Sequence, residues 1–361
     1  MSSDEPDVRS VPGADSAEKS WLAWKTAALV AAMLAVWALG LGLVGRTRPD
    51  VGGISFQTSP SARMERRPAL FAITWDRSGS NAGPGTIGVA VPIALIEPGG
   101  AIVPPIAARS DDAAQAEGRA FAAIYYKPSS ELLLLRGGAA AGDVQFVSDV
   151  TMLGLLPVAQ VEGSGPVDLG PLDPDATTLL AISDLRFAGR PTGTRAMRDE
   201  HRTAVDVASR QILRDRYPGH TVVDEGLARV RVADLDRDGR AEVLASRVVR
   251  LRDQSGILEN VVLFLIAEPD RLPGVEESGY RVAFAALQVF SDNGPHADIV
   301  FIDQADLTSA SFDEVVLRLD EGDASRYAVL RRDQTAWSQV SSTTPVRSPG
   351  PRPLAGEKSG G

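Results

Sequence analysis

Cysteine is absent from this chain of 361 residues, and histidine occurs only three times. Without cysteine the protein can form no disulfide, no thiolate nucleophile and no thiolate-ligated zinc site. The histidines, His201, His220 and His296, are too few and too widely spaced to predict a zinc site of another kind. These absences leave carboxylates and backbone oxygens as the main potential metal ligands.

Positive charge is also in short supply. The chain has 37 Lys and Arg residues against 47 Asp and Glu residues, a formal net charge of -10. This balance argues against the basic surface that binds phosphate backbones, so we predict no nucleic-acid partner. The sequence lacks the H-E-x-x-H and G-x-S-x-G motifs, and its many acids allow no general acid–base pair to be selected by spacing. We therefore predict no catalytic residues.

One long apolar run lies near the N terminus. Thr26 to Gly45 contains twenty residues without a charge, and Lys25 and Arg46 flank it. A helix of this length spans about 30 Å, the thickness of the hydrocarbon core of a bilayer. The alternative is a cleaved signal peptide, whose apolar core is usually shorter, about 7–15 residues. We predict an uncleaved transmembrane anchor over residues 21–46 that contacts the lipid bilayer through residues 26–45.

The segments around the predicted anchor are polar. Residues 1–20 are rich in Ser, Asp, Glu and Pro and are predicted to be a disordered leader. Residues 47–67 are predicted to be a stalk or linker, because Gly and Pro punctuate them. Within the apolar run, Ala27, Ala31 and Ala35 have the small-residue spacing that lets membrane helices approach closely, which would permit a homodimer.

The rest of the chain is predicted to be mainly β with a few helices, in two β-rich regions. The first, residues 68–190, contains short apolar segments, and Glu97–Gly100 joins two of them as a hairpin turn would. Residues 110–123 have a helical composition within it. A helix is predicted over residues 195–217, because apolar residues recur there at three- and four-residue steps.

The second β-rich region, residues 220–342, contains an internal repeat. The segment ADLDRDGRAEVL begins at Ala233, and ADLTSASFDEVVL begins at Ala305, 72 residues later. Strand-like segments precede and follow both copies, so each unit is predicted to be a four-stranded, blade-like meander. Two units cannot close a propeller, which leaves a packed pair of sheets or a partial ring completed by the first region. The proline-rich residues 343–361 are predicted to be a disordered tail.

The first copy of the repeat holds a dense group of acids. Asp234, Asp236 and Asp238 alternate, Gly239 follows, and Glu242 closes the segment. Several carboxylates on a tight turn suit a hard cation such as Ca²⁺, and glycine allows the sharp bend. An EF-hand is excluded because its twelfth position would be Ala245 and because the flanks are β-like. The alternative is an acidic turn without metal, whose Asp side chains bond the backbone.

This segment resembles the calcium loops of FG-GAP and VCBS-type repeats. The resemblance covers about residues 225–265 and extends weakly to 295–340, where Asp306 and Glu314 persist but the middle acids and the glycine do not. It implies a structural Ca²⁺ site in the first copy and loss of the ion in the second. The ligands it implies are the side chains of Asp234, Asp236, Asp238 and Glu242 and the backbone carbonyl of Arg240.

These features favour a membrane-anchored protein with its C-terminal bulk outside the cytoplasm. The flanking arginines and lysines do not decide orientation, but weak calcium loops fill outside the cytosol and not within it. The leading hypothesis is a non-enzymatic module that binds a protein or glycan partner or scaffolds a complex. The alternatives are an envelope-associated hydrolase with its site between the two β-rich regions, and a sensor whose leader contacts a cytosolic partner.

Overall fold

The structure is a computed structural model that describes residues 66–75, 87–108, 110–164, 178–187, 189–270, 279–291, 296–309, 311–334 and 336–347. The predicted leader, the transmembrane anchor with its alanine stripe, and nearly all of the stalk lie outside these residues. Across the described part of the chain, no helix combines the length and the apolar character needed to cross a membrane.

The described residues of the first β-rich region form eight strands and one helix, as follows: β1 (Ala69–Trp75), β2 (Ile87–Ile96), β3 (Ile102–Val103), α1 (Asp111–Tyr125), β4 (Glu131–Arg136), β5 (Ala139–Phe146), β6 (Thr151–Leu153), β7 (Leu156–Gly163) and β8 (Thr178–Ile182). The strand order is β3-β2-β1-β8-β4-β5-β7-β6, and β2 also pairs with β7. This second pairing closes six antiparallel strands into a ring. The predicted hairpin turn is confirmed, because the Glu97 N–H bonds to the Ala101 carbonyl between β2 and β3.

An aromatic cluster forms the core of this region. Phe71 of β1 is fully buried, and its ring lies 5.9–6.4 Å from those of Phe121, Tyr125, Tyr126 and Phe146. Helix α1 supplies two of these rings from one face, which confirms the helix predicted at residues 110–123. These five aromatic residues bury large apolar areas against one another.

In the part of the second region that the structure describes there are one helix and ten strands, as follows: α2 (Asp199–Arg216), β9 (Thr221–Glu225), β10 (Arg229–Ala233), β11 (Glu242–Arg252), β12 (Leu258–Pro269), β13 (Tyr280–Ser291), β14 (Ala297–Ala305), β15 (Glu314–Glu321), β16 (Ala324–Arg332), β17 (Trp337–Ser342) and β18 (Val346–Arg347). Strands β10 to β13 form one antiparallel sheet and β14 to β17 another, each in sequence order. We call them the first and second meanders. They are the two four-stranded units that the repeat predicts, with β9 added to the first and β18 to the second.

Helix α2 covers one face of the first meander. Its apolar stripe includes Val205, Ala208 and Ile212, which pack against residues of β11 and β12. His201 lies on the same buried face, and its Nδ1 accepts the backbone N–H of Arg198 at 3.0 Å. The helix predicted at residues 195–217 is therefore present but begins at Asp199, because the chain at Arg195 bonds to the Val232 carbonyl instead, and its histidine is a packing residue.

The two β-rich regions do not have separate cores. The described residues, from 66 to 347, belong to one compact unit. In β15 and its neighbours, alternate residues face opposite ways: Val315 and Leu317 join the core shared with the first meander, whereas Val316 and Val329 join the core of the six-stranded ring. The second meander is therefore buried on both faces. Continuous apolar runs such as VVL at residues 315–317 are typical of strands in this position.

The predicted boundary of the tail is wrong by five residues. Residues 343–347 are described, and β18 pairs with β16. The Thr343 N–H bonds the carbonyl of Tyr327, whose own N–H bonds the Thr343 hydroxyl at 3.0 Å. Val346 is buried in the core of the six-stranded ring. The proline content hid this short strand, because each proline lacks a backbone donor but does not prevent its neighbours from pairing. The rest of the predicted tail lies outside the described residues.

Candidate metal centre

The acidic loop connects β10 to β11, and strand pairing fixes its two ends. Ala233 pairs with Glu242 in the antiparallel ladder, so the first and last acids of the motif come close together. The backbone N–H of Leu235 donates to Glu242 Oε2 at 2.7 Å. Leu235 is fully buried in the core shared by the two meanders, so its side chain anchors the loop to that core.

The turn itself depends on two residues with positive φ. Arg237 has a φ of 60° and Gly239 a φ of 90°. Asp236 Oδ1 accepts the N–H of Asp238 at 3.1 Å, and Asp238 Oδ1 accepts the N–H of Arg240 at 2.8 Å. Such side-chain bonds to nearby backbone are those that Asp makes in tight turns.

Three of the predicted ligands converge. Asp234, Asp236 and Glu242 each offer a carboxylate oxygen, and these oxygens all lie within 4.8 Å of one another. Asp234 and Glu242 are buried and Asp236 is half-buried. The fourth acid, Asp238, is exposed and lies outside this group of three carboxylates. The acidic cluster of three carboxylates could hold a metal ion.

Two features of the cluster fit a cation. Among the described residues, Oδ1 of Asp234 is buried without a hydrogen-bond partner. Burial, reinforced by the negative charges of Asp236 and Asp238, raises the pKa of Glu242 to about 8, although the Leu235 N–H opposes this shift. Clustered carboxylates in a site of low polarity are costly when charged, and a bound cation removes that cost.

Sequence spacing did not reveal a nearby arginine. Arg195 Nη2 lies 3.0 Å from Asp234 Oδ2. Its position follows from a local pairing, in which Thr194 bridges to Ala233 and the Arg195 N–H donates to the Val232 carbonyl at 2.9 Å. Arg195 is 39 residues from Asp234 in sequence, so only the tertiary structure brings it to the site. The Arg195 guanidinium neutralises part of the negative charge of Asp234, and Oδ1 of Asp234 remains available to a cation.

The second copy of the loop has the same backbone geometry as the first. The Leu307 N–H donates to Glu314 Oε2 at 2.9 Å, as Leu235 does to Glu242. Ser309 has a φ of 57°, which matches the φ of Arg237. The repeat seen in the sequence is therefore a repeat of loop geometry as well as of strands.

A cavity of about 510 Å³ lies elsewhere, beside the C-terminal half of α2. Its walls include Tyr217, Val222 and Leu251, and its single acidic side chain is Glu225. That carboxylate is paired with Arg210 and Arg247, both at 3.2 Å. Among the described residues that line this cavity, no second carboxylate lies beside Glu225.

Comparisons with protein-family models, with curated proteins and with solved structures found no match to this chain.

Proposed function

We propose that this protein is a membrane-anchored extracytoplasmic binding or scaffold module with a structural Ca²⁺ site in the loop between β10 and β11. The observation that carries the calcium site is the convergence of the Asp234, Asp236 and Glu242 carboxylates, one of which keeps a buried oxygen unpartnered. Oxygen-only ligation by several carboxylates is the preference of Ca²⁺. The resemblance to calcium loops adds the Asp238 side chain and the Arg240 carbonyl to the proposed ligand set, and the Asp238 carboxylate, which here accepts the Arg240 N–H, would have to turn toward the ion.

The ion would have a structural role. It would neutralise the loop at the place where β10 turns into β11, and it would hold the two strands in register. Affinities for extracellular calcium modules are on the order of 10⁻⁴–10⁻³ M, so such a site fills outside the cytosol. This range favours a C-terminal bulk on the outer face of the membrane.

A binding role is supported by the open edge of the first meander. Within the described chain, β13 is the last strand of its sheet, and none of residues 280–290 is fully buried. A long apolar edge strand offers unpaired backbone groups to a partner. The partner would be a protein or a glycan, since the acidic chain does not favour nucleic acid.

Calorimetric titration of the full-length protein in detergent tests the calcium site. We expect one Ca²⁺ per chain with a dissociation constant on the order of 10⁻⁴–10⁻³ M. Asp236→Asn should abolish binding. Asp253→Asn is the matched control, because Asp253 also accepts backbone N–H groups in an exposed turn but belongs to a different loop. Absence of heat in the wild-type protein would refute the calcium site.

Labelling of introduced cysteines in intact cells tests the proposed orientation in the membrane. The chain contains no cysteine, so a single introduced cysteine is the only thiol in the protein that a labelling reagent can modify. Leu227 is 98% exposed, and Leu227→Cys should react with a membrane-impermeant maleimide in intact cells. Ser3→Cys in the predicted leader should react only after the cells are lysed. The reverse pattern would place the bulk of the protein in the cytoplasm.

A further inference from the structure

Arg237 lies in the first acidic loop, but its side chain extends into the second. Its guanidinium pairs with Asp306 at 3.3 Å and with Asp313, which is fully buried. Asp306 holds the place in the second loop that Asp234 holds in the first, 72 residues earlier. The arginine of one loop therefore meets the carboxylates of the other.

The differences between the two copies match this arrangement. The second copy has Thr308 and Ala310 where the first has Asp236 and Asp238. It also has an acid, Asp313, where the first copy has Ala241. The second loop therefore lacks the two acids that would bind an ion in the first loop. In their absence it has an acid, Asp313, that binds Arg237. In addition, the hydroxyl of Thr192 donates to Asp313 and fixes its carboxylate.

The backbone conformation at Arg237 recurs at Ser309 of the second loop, so it belongs to the turn that both loops share. A φ of 60° is unfavourable for arginine and is more readily adopted by glycine or asparagine. The two loops are also joined directly at this point, because the Asp313 N–H donates to the Leu235 carbonyl at 2.9 Å. Arg237 therefore lies at the contact between the two meanders.

We propose that the Arg237 guanidinium is the resident cation of the second loop and that the ion of the first loop positions it. Arg237 lies between Asp236 and Asp238, so an ion held by these residues would fix its backbone. One Ca²⁺ would then organise both loops and hold the two meanders together. The positioning by Ca²⁺ rests on the proposed function, whereas the clamp between Arg237 and the second loop rests only on the contacts above.

A double-mutant cycle on the full-length protein in detergent tests the clamp. Arg237→Gln and Asp306→Asn are made singly and together, and melting temperatures are measured in 10 mM calcium and in excess chelator. We expect Arg237→Gln to lower the melting temperature in calcium by about 5 °C. The double variant should lose much less than the two single variants together. Arg202→Gln, at an exposed position of α2, controls for the change in net charge.

The two halves of the proposal have separate outcomes. If the single effects add fully in both conditions, the clamp does not exist. If the coupling is as large in chelator as in calcium, the clamp exists but the ion does not position it. Coupling that falls by at least half in chelator supports the whole proposal. A wild-type protein without any response to calcium overturns the proposed calcium site, while the cycle in chelator still decides the clamp.

Discussion

Asp303 of β14 accepts the backbone N–H of Gly137 with both carboxylate oxygens, at 3.0 and 2.9 Å. Gly137 lies in the turn between β4 and β5, where it has a φ of 54°. One carboxylate thus joins the six-stranded ring to the second meander. It is buried, and the Gln304 N–H is its other backbone donor.

The stability of the protein should depend on pH through Asp303. Burial raises the pKa of Asp303 to about 7 from its ordinary value of 3.8, although the Gln304 and Gly137 N–H groups oppose the shift. A raised carboxyl pKa means that folding favours the protonated form. Its contribution is complete below about pH 4 and is lost as the pH rises through about 7, by on the order of 4 kcal/mol.

Asp303→Asn should therefore flatten the decline in unfolding free energy between pH 5 and pH 8. The amide cannot ionise, and its oxygen still accepts the Gly137 N–H. Denaturant unfolding at both pH values measures the difference. Asp323→Asn, at an exposed position, should leave the wild-type slope unchanged. A slope that is identical in Asp303→Asn and wild type would contradict this assignment.

Calcium should raise the melting temperature of the wild-type protein. At 10 mM calcium and the dissociation constants given above, the free energy of unfolding rises by about 1.4–2.7 kcal/mol. This corresponds to a shift of about 3–5 °C. Asp236→Ala should remove the difference between calcium and chelator in the same thermal scan. A variant that still responds fully would show that calcium acts at another place.

Glu268 should be one of the most sensitive charged positions. Its carboxylate accepts the Trp337 indole N–H at 3.0 Å and pairs with Arg332 and Arg281, and thereby links the two meanders. Arg332 is nearly as buried as Glu268, so Glu268→Ala leaves a buried cation without its main partner. We expect a loss of about 3–5 kcal/mol in denaturant unfolding. Glu321→Ala, at an exposed strand end, should change stability by less than about 0.5 kcal/mol.

Phe71→Ala should destabilise the six-stranded ring. The ring of Phe71 is at the centre of the aromatic cluster, and its removal leaves a cavity among four other rings. The expected loss is about 3–5 kcal/mol of unfolding free energy. Leu227→Ala is the control, because that side chain is almost wholly exposed. A loss below about 1 kcal/mol for Phe71→Ala would show that the cluster is not packed as described.

Truncation should reveal the contribution of the last strand. A chain that ends at Arg347 keeps β18, whereas a chain that ends at Ser342 loses it together with the buried Val346. Burial of one valine contributes about 1.5–3 kcal/mol. The shorter chain should therefore melt several degrees below the longer one. Equal melting temperatures would mean that β18 does not contribute to the core.

The local sequence pattern was sufficient to predict the elements that depend only on residues close together in the chain. The spacing of apolar residues along α2 follows from the helical period, and the turn at Glu97–Gly100 follows from its own residues. The two copies of the repeat, which begin 72 residues apart, indicated two meanders. Segments with the same pattern of apolar residues and turns form strands that pair in the same way. The same pattern placed Asp234, Asp236 and Glu242 on one connection, since an antiparallel pair brings the ends of a short loop together.

Tertiary structure alone decided the contacts between residues distant in sequence. The closure of the six-stranded ring depends on β2 meeting β7, and the burial of β15 on both faces depends on a sheet from another part of the chain. Arg195 beside Asp234 and Arg237 beside Asp313 have no signal in local spacing. The sequence by itself determined which segments form the strands of the two meanders and which loop carries the acids, although it did not reveal β18. Which charges neutralise those acids was decided only by packing, because side chains far apart in sequence come within ion-pair distance only when the sheets stack.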